Sequence, residues 1–465
     1  MTTQNEKAFG LWSAVFLGIG SMVGAGIFIV IGEAGAIAGT GVLISFLIGG
    51  IIALLCGYSL AKLAIRYPSR GGLIEYLVQI YGEGFFSGSM GILFYLTQLI
   101  ALAAVAKSFG TYTATYLVST NSPLSATDIN LFATGIILFF TLINLLGAAV
   151  IAKAENFIVL FKLSALTLFT LAALFYIHPQ NLTLDVHTHL INLFYALGLT
   201  FFAFQGFSVI TNSVEDMQNP EKTILKSMIL AILLVAILYL AVSIAVLGNL
   251  PLPEIIKAQD FALAEAAKPA FGDWGFKIIA ATALIATASA INATLYAVTQ
   301  ISYTLAKEGN LPAVYQYNIF KNTEGLILSS LIILPIIWFL ALDKIASIAA
   351  IMVLLIQGII HLGHLLKLKE TGAQAFWVSL AALGSFIAAA FAIDYTSQKI
   401  PHFDLWILSA LAAAYLFEVL LRLFTHRTIE PQIPELTTLE TKLVQNWQQR
   451  KTQVLNLFQQ RLNQR

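Results

Sequence analysis

Charge is what this sequence has least of. Only 11% of its residues are Asp, Glu, Lys or Arg, against about 25% in an ordinary soluble domain. The formal net charge is +1, so there is no field to draw in nucleic acid. Cysteine is almost absent. Cys56 stands alone, which excludes an intrachain disulfide and leaves the redox compartment unread. There is no glycine-rich phosphate loop, which argues against direct ATP-driven transport. No nucleophile sits with a base at a telling spacing, so an intramembrane hydrolase ranks last among the readings. His178, His187 and His189 fall in one segment but lack cysteine partners or metal-ligand spacing. No metal and no cofactor are therefore expected. His361 and His364, three apart, read as a polar helix terminus. No small-residue cleavage site follows the first apolar run, which is expected to be a retained helix and not a signal peptide.

What the chain has is apolar length. Hydrophobic residues make up 58% and mean hydropathy is +0.83. A run of about 20 apolar residues spans a bilayer as a helix. The pattern predicts an all-α polytopic membrane protein with twelve transmembrane helices, over residues 11–36, 40–63, 86–117, 129–150, 155–177, 190–213, 224–248, 275–305, 325–341, 345–366, 373–394 and 404–424. Lysine and arginine accumulate on the cytoplasmic side of membranes. With residues 1–10 and the even-numbered loops inside, that side holds eighteen of the 25 basic residues and the other side five. Both termini are thus expected in the cytoplasm. Pro431 and Pro434 then end the membrane region. Over 430–465, Leu439, Leu443, Trp447, Val454, Phe458 and Leu462 recur at helical spacing, an amphipathic helix that either packs as a solubilising tail or lies on a membrane surface.

The first span contains Gly18-Ile19-Gly20-Ser21-Met22-Val23-Gly24-Ala25-Gly26. Each interior glycine costs a helix about 1 kcal/mol relative to alanine, so a break halfway across is expected. The sixth span carries Phe202-Ala203-Phe204-Gln205-Gly206. Paired interruptions in two halves of a membrane protein point to a midplane binding site. Spans 1–5 (11–177) and 6–10 (190–366) would be those halves, inverted by odd parity, with 373–424 outside them. The exposed N–H groups of Gly24, Ala25 and Gly26 suit a carboxylate. The carbonyls of Ile19–Met22 and of Phe202–Gln205 suit an ammonium. The competing reading is that these glycines only let helices pack closely.

In order and spacing, four segments resemble the amino acid–polyamine–organocation permeases, particularly their prokaryotic proton-coupled amino acid transporters. They are Gly20–Phe28, Pro68–Tyr76, Gly206–Asn212 running into Asn219-Pro220, and Ser289–Ala293 with its Gly309–Pro312 exit. The likeness covers about residues 8–425 and implies the five-plus-five inverted-repeat fold with helices 1 and 6 broken. It implies that Ile19, Ser21, Met22, Gly24, Ala25, Gly26, Phe202, Phe204, Gln205 and Gly206 hold the substrate, with Phe202 as the aromatic gate. Packing is the other reading of those rings. Ser208 departs from the family, where a glutamate often follows the Gly-aromatic pair, and this removes a charge that could select cations.

Lys162 lies in mid-span, where an ammonium is a functional candidate by default. The resemblance places it where related carriers bind sodium, reaching first-span carbonyls near Gly20 and a serine of the eighth span, Ser289. It would carry the coupling proton, or be a permanently charged strut. Lys107, the other intramembrane cation, either snorkels to the interface or lines an outer vestibule. Glu418 and Arg422, four apart, read as a structural pair. Glu215 and Asp216 fit a gate or a solvated loop. The expectation is a secondary transporter importing neutral amino acids by proton symport and alternating access, in a prokaryotic inner membrane. Its partners are an amino acid, protons and lipid. An exchanger, sodium coupling and a transporter-like nutrient sensor signalling through the tail are the alternatives, and oligomeric state is not readable.

Overall fold

A computed structural model of the chain describes residues 10–24, 26–69, 71–117, 125–146, 149–183, 190–217, 219–319 and 322–424. The N-terminal residues and the helix expected over 430–465 lie outside them. Apart from a short antiparallel ladder, Asn318–Ile319 against Asn322–Thr323, the regular structure described is helical. In chain order the helices are α1 (Leu11–Met22), α2 (Gly26–Ala38), α3 (Val42–Arg66), α4 (Leu73–Tyr81), α5 (Phe85–Leu117), α6 (Ala126–Leu146) and α7 (Ala149–Ala173). Then come α8 (Leu190–Tyr195), α9 (Leu197–Phe204), α10 (Val209–Asn212), α11 (Pro220–Asn249), α12 (Leu252–Lys257), α13 (Ala262–Glu265) and α14 (Lys268–Lys307). The last are α15 (Glu324–Phe339), α16 (Leu342–His364), α17 (Leu368–Thr371), α18 (Ala375–Lys399) and α19 (Phe403–Phe424).

Ten helical stretches among the described residues are long and apolar enough to cross a membrane. Two further apolar helices, α1 and α15, are shorter than that. They occupy the expected first and ninth spans. The first span divides because α1 stops at Met22 and α2 starts at Gly26, with Val23 off the helical region at φ −83°, ψ 53°. The sixth differs from expectation. It does not unwind: α9 tightens into a 3₁₀ turn over Gln205–Ser208 and resumes as α10. A 3₁₀ turn keeps the backbone hydrogen-bonded while changing its pitch, so the Gly206 region bends the helix without opening it.

The side chains show which faces meet lipid. On α6, Leu131, Phe139, Leu142 and Leu146 are more than half exposed, and on α7 so are Phe157, Leu160, Leu168 and Leu171. Apolar surface of this extent would aggregate in water, whereas hydrocarbon accepts it. The interior is built on α5, which packs against α6, α14, α15, α16 and α19, and on α3, which packs against α9, α11 and α18. Between these two groups α1 lies against α11 and against the 205–208 turn, while α2 lies against α9. The chain is an all-α polytopic membrane protein.

Candidate functional site

The two glycine-marked interruptions meet. A Cβ on Gly206 would lie 2.4 Å from the Ser21 carbonyl carbon and 2.5 Å from the Met22 nitrogen. A Cβ on Gly26 would lie 2.8 Å from the Ala203 oxygen. These are backbone atoms, so only glycine permits the approach. The sixth span therefore closes directly over the gap in the first. Gly24 is also buried in the gap, where a Cβ would lie 2.8 Å from that of Ala290 on α14. Ala25 lies outside the described residues.

Three carbonyls at the end of α1 have internal partners. Ile19 O accepts the Val23 N–H at 2.8 Å. Gly20 O accepts from Lys162 Nζ at 2.7 Å. Met22 O accepts from the Tyr239 hydroxyl at 2.7 Å. The same hydroxyl is 3.2 Å from Ala203 O, so one α11 side chain joins both interruptions. Phe202 O takes the Gln205 N–H within the 3₁₀ turn. Five of the carbonyls expected to meet an ammonium, those of Ile19, Gly20, Met22, Phe202 and Ala203, therefore have internal partners.

Lys162 is fully buried on α7, and its ammonium meets the first span as expected. Ser289 is buried on α14 beside Ala290, the residue facing Gly24. Phe202 is buried, 7% exposed, next to Ala203. Phe204 is wholly buried and packs against Tyr239 (ring centroids 5.2 Å) and Phe46 (6.4 Å). That is a packing position behind the site. Gln205 donates from Nε2 to Gln98 Oε1 on α5 at 2.9 Å.

Sequence reasoning passed over Tyr239, Gln98 and Gln357. Each is a polar side chain in an apolar run, and that is the signal that could have found them. Gln357, on α16, is 2% exposed, and its Oε1 has no hydrogen-bond partner. With Leu73, Phe94, Gln205 and Ser208 it lines a cavity of about 10 Å³.

Lys107 is held at a helix end. It is 8% exposed and donates to Leu340 O just beyond α15, the favourable place for a cation at a helix C-terminus. His361 and His364 lie in the last turn of α16, the polar helix terminus read from the sequence. Both are buried, and both place Nδ1 2.8 Å from the Ser59 hydroxyl of α3. His364 Nε2 reaches Thr371 Oγ1 at 2.9 Å, and Thr371 donates to Lys367 O at 3.2 Å. Arg422 Nε meets Glu418 Oε1 at 2.6 Å with both side chains buried, as read from their spacing. Glu215 and Asp216 are exposed. Midway along α2, Gln259 O presses on Gly32, and Glu33 on the next position faces Asp260. Burial above all, with Asp343 adding to it, holds the Asp260 carboxyl above the usual carboxylate range. Among the described residues no three or more His, Cys, Asp or Glu side chains form a metal cluster.

Residues 9–425 match the family model described as amino acid permease. An uncharacterized protein of Methanocaldococcus jannaschii is 34% identical over 92% of this chain and 98% of its own length. The inner membrane transport protein YbaT of Escherichia coli is 33% identical over 74% of this chain and 80% of its own. A Bacillus subtilis protein named branched-chain amino acid permease BcaP is 26% identical over 66% of this chain and 68% of its own.

Proposed function

The chain belongs to the amino acid permease family, and we propose that it imports neutral amino acids by proton symport, with Lys162 as the proton carrier. It is an amino acid transporter of the membrane and not an enzyme. The finer reading rests on one observation, the buried Lys162 ammonium 2.7 Å from Gly20 O. A charged donor forms a stronger hydrogen bond than a neutral one. Protonated Lys162 ties α7 to the end of α1, and loss of the proton slackens the tie. The carbonyls one and two residues further on, at Ser21 and Met22, then change their presentation to the ligand.

In this reading the substrate carboxylate takes the N–H groups at the start of α2, from Gly24 to Gly26, where a helix N-terminus favours an anion. The substrate ammonium takes carbonyls at the ends of α1 and α9, displacing the Tyr239 hydroxyl. Phe202 covers the bound molecule. These contacts are to backbone, so they serve any α-amino acid. Among the described residues no charged side chain stands at the junction of the two spans beyond Lys162, which favours neutral side chains. Residues 11–177 and 190–366 act as two inverted halves that rock about this junction, with 373–424 outside them. Both termini face the cytoplasm, and the membrane is a prokaryotic inner membrane, the location in the name of the Escherichia coli relative.

The experiment is uptake of a labelled amino acid panel into proteoliposomes with proton and sodium gradients imposed separately. Wild type concentrates substrate under a proton gradient alone. Lys162→Gln loses concentrative uptake and its pH dependence while keeping substrate binding. Full pH dependence in that variant overturns Lys162 as carrier. Counterflow driven only by internal substrate supports the exchanger instead.

A further inference from the structure

An unmatched amide lies beside the junction of the two interrupted spans. Gln357 is almost completely buried, at 2% exposure, and its Oε1 has no partner. A buried acceptor left without a donor is costly, and such groups in native proteins require an explanation. Gln357 is one of the residues lining a small cavity. Gln205 and Ser208 of the 3₁₀ turn line the same cavity. Gln205 is fixed there by its bond to Gln98 Oε1 at 2.9 Å, and Ser208 is turned back on Gln205 O at 3.3 Å. Gly206, between them, rests on the Ser21–Met22 backbone. Through Gly206 the cavity adjoins the backbone groups assigned to the amino acid's head.

We propose that this cavity receives the end of the substrate's side chain, and that Gln357 is a specificity-determining residue accepting a hydrogen bond there from a hydroxyl or carboxamide. The assignment rests on the transport reading above and narrows its substrate class to small neutral polar amino acids. The volume, about 10 Å³, is of the order of one water molecule, and so of one hydroxyl. A methyl group fills the same space but leaves Gln357 Oε1 unmatched. A site built to hydrogen-bond a substrate group discriminates strongly against the analogue that lacks it. The chemistry thus separates threonine from valine, which differ by that replacement alone.

The test compares threonine with valine, and serine with alanine, as kcat/KM for uptake into proteoliposomes. The variants are Gln357→Leu and the closer-shaped Gln357→Met. Wild type prefers the hydroxylated member of each pair by about tenfold or more, and both variants bring the ratio towards one. Ligand-induced thermal stabilisation of the purified proteins gives the same ranking without transport. A threonine-to-valine ratio unchanged by both variants overturns the assignment and leaves Gln357 solvated by a trapped water. Wild-type uptake of other amino acids but none of these four also overturns the assignment, and uptake of no amino acid in the wider panel overturns the transport reading itself.

Discussion

Replacing Gly206 by alanine adds one methyl group at the tightest contact between the interrupted spans. The new carbon would sit 2.4 Å from the Ser21 carbonyl carbon, 2.5 Å from the Met22 nitrogen and 2.6 Å from the Ser21 oxygen. Non-bonded carbons rest at about 3.5–4.0 Å, so the two segments must part by about 1 Å. No rotamer relieves the clash, because all three atoms are backbone. The displacement also strains the bond from Tyr239 to Met22 O, now 2.7 Å. Overpacking costs about 1–3 kcal/mol and the weakened buried bond about 1 kcal/mol, together about 2–4 kcal/mol. A misplacement of this size at a binding site costs about a hundredfold in activity. Unfolding can be followed with a thiol-reactive fluorophore, since Cys56 is the one cysteine and is fully buried. The variant should label at a lower temperature than wild type and lose uptake by about a hundredfold. Gly135 on α6 is the control, because a Cβ there meets nothing within 4 Å and alanine suits a helix interior. Wild-type stability and uptake in Gly206→Ala would refute the claim that the two spans close on each other at this point.

Three further outcomes are expected. Tyr239→Phe keeps the ring contacts with Phe46 and Phe204 but strips the hydroxyl from Met22 O, lowering stability by about 1–3 kcal/mol in a denaturant titration; an unchanged midpoint would show that the carbonyl finds another donor. Arg422→Ala leaves the Glu418 carboxylate buried without its guanidinium and should cost about 3–5 kcal/mol, whereas a Glu418→Leu, Arg422→Leu double variant should recover most of that loss in the same titration. Asp260, held above the usual carboxylate range chiefly by burial, favours its protonated form in the fold. Its stabilising contribution is full below the unfolded value of about 3.9 and is lost as pH rises through the higher folded value, so the melting temperature falls over that window and Asp260→Asn flattens the slope.

Much of the architecture was legible because hydrocarbon leaves few choices. Apolar length marks helices, and the basic residues of the loops suggest their side. The break after Met22 followed from glycine content. The contour of the sixth span did not, because a single glycine at position 206 is compatible with an open gap or with the observed 3₁₀ turn; what decides is the press of Ser21 against it. Gly20 and Lys162 met as expected, since an intramembrane ammonium must find an acceptor and a helix end offers one. An aromatic next to a break looks the same in sequence whether it faces a ligand or packs, and the contacts of Phe204 with Tyr239 and Phe46 are visible only in the fold. The partner of Lys107 was not legible, because the carbonyl that holds it, Leu340 O, is distant in sequence. Gln357 and Tyr239 have neither charge nor motif, and only the fold brings them to the junction.

The hydroxyl of Ser59 has one proton to share between two imidazoles. With both rings neutral, one arrangement lets Thr371 keep its bond to Lys367 O. His364 then donates from Nε2 to Thr371 and receives the Ser59 proton on Nδ1, while His361 donates from Nδ1 to Ser59. The two histidines are thereby forced into opposite tautomers, and the bare nitrogen that remains is His361 Nε2, a buried atom with no partner. The chain from α16 through α3 and back to the turn before α17 has a head and a tail. Reversing it requires every hydroxyl and both rings to exchange protons in concert, so the contact between these helices carries a handedness in its hydrogens that the heavy atoms alone do not reveal.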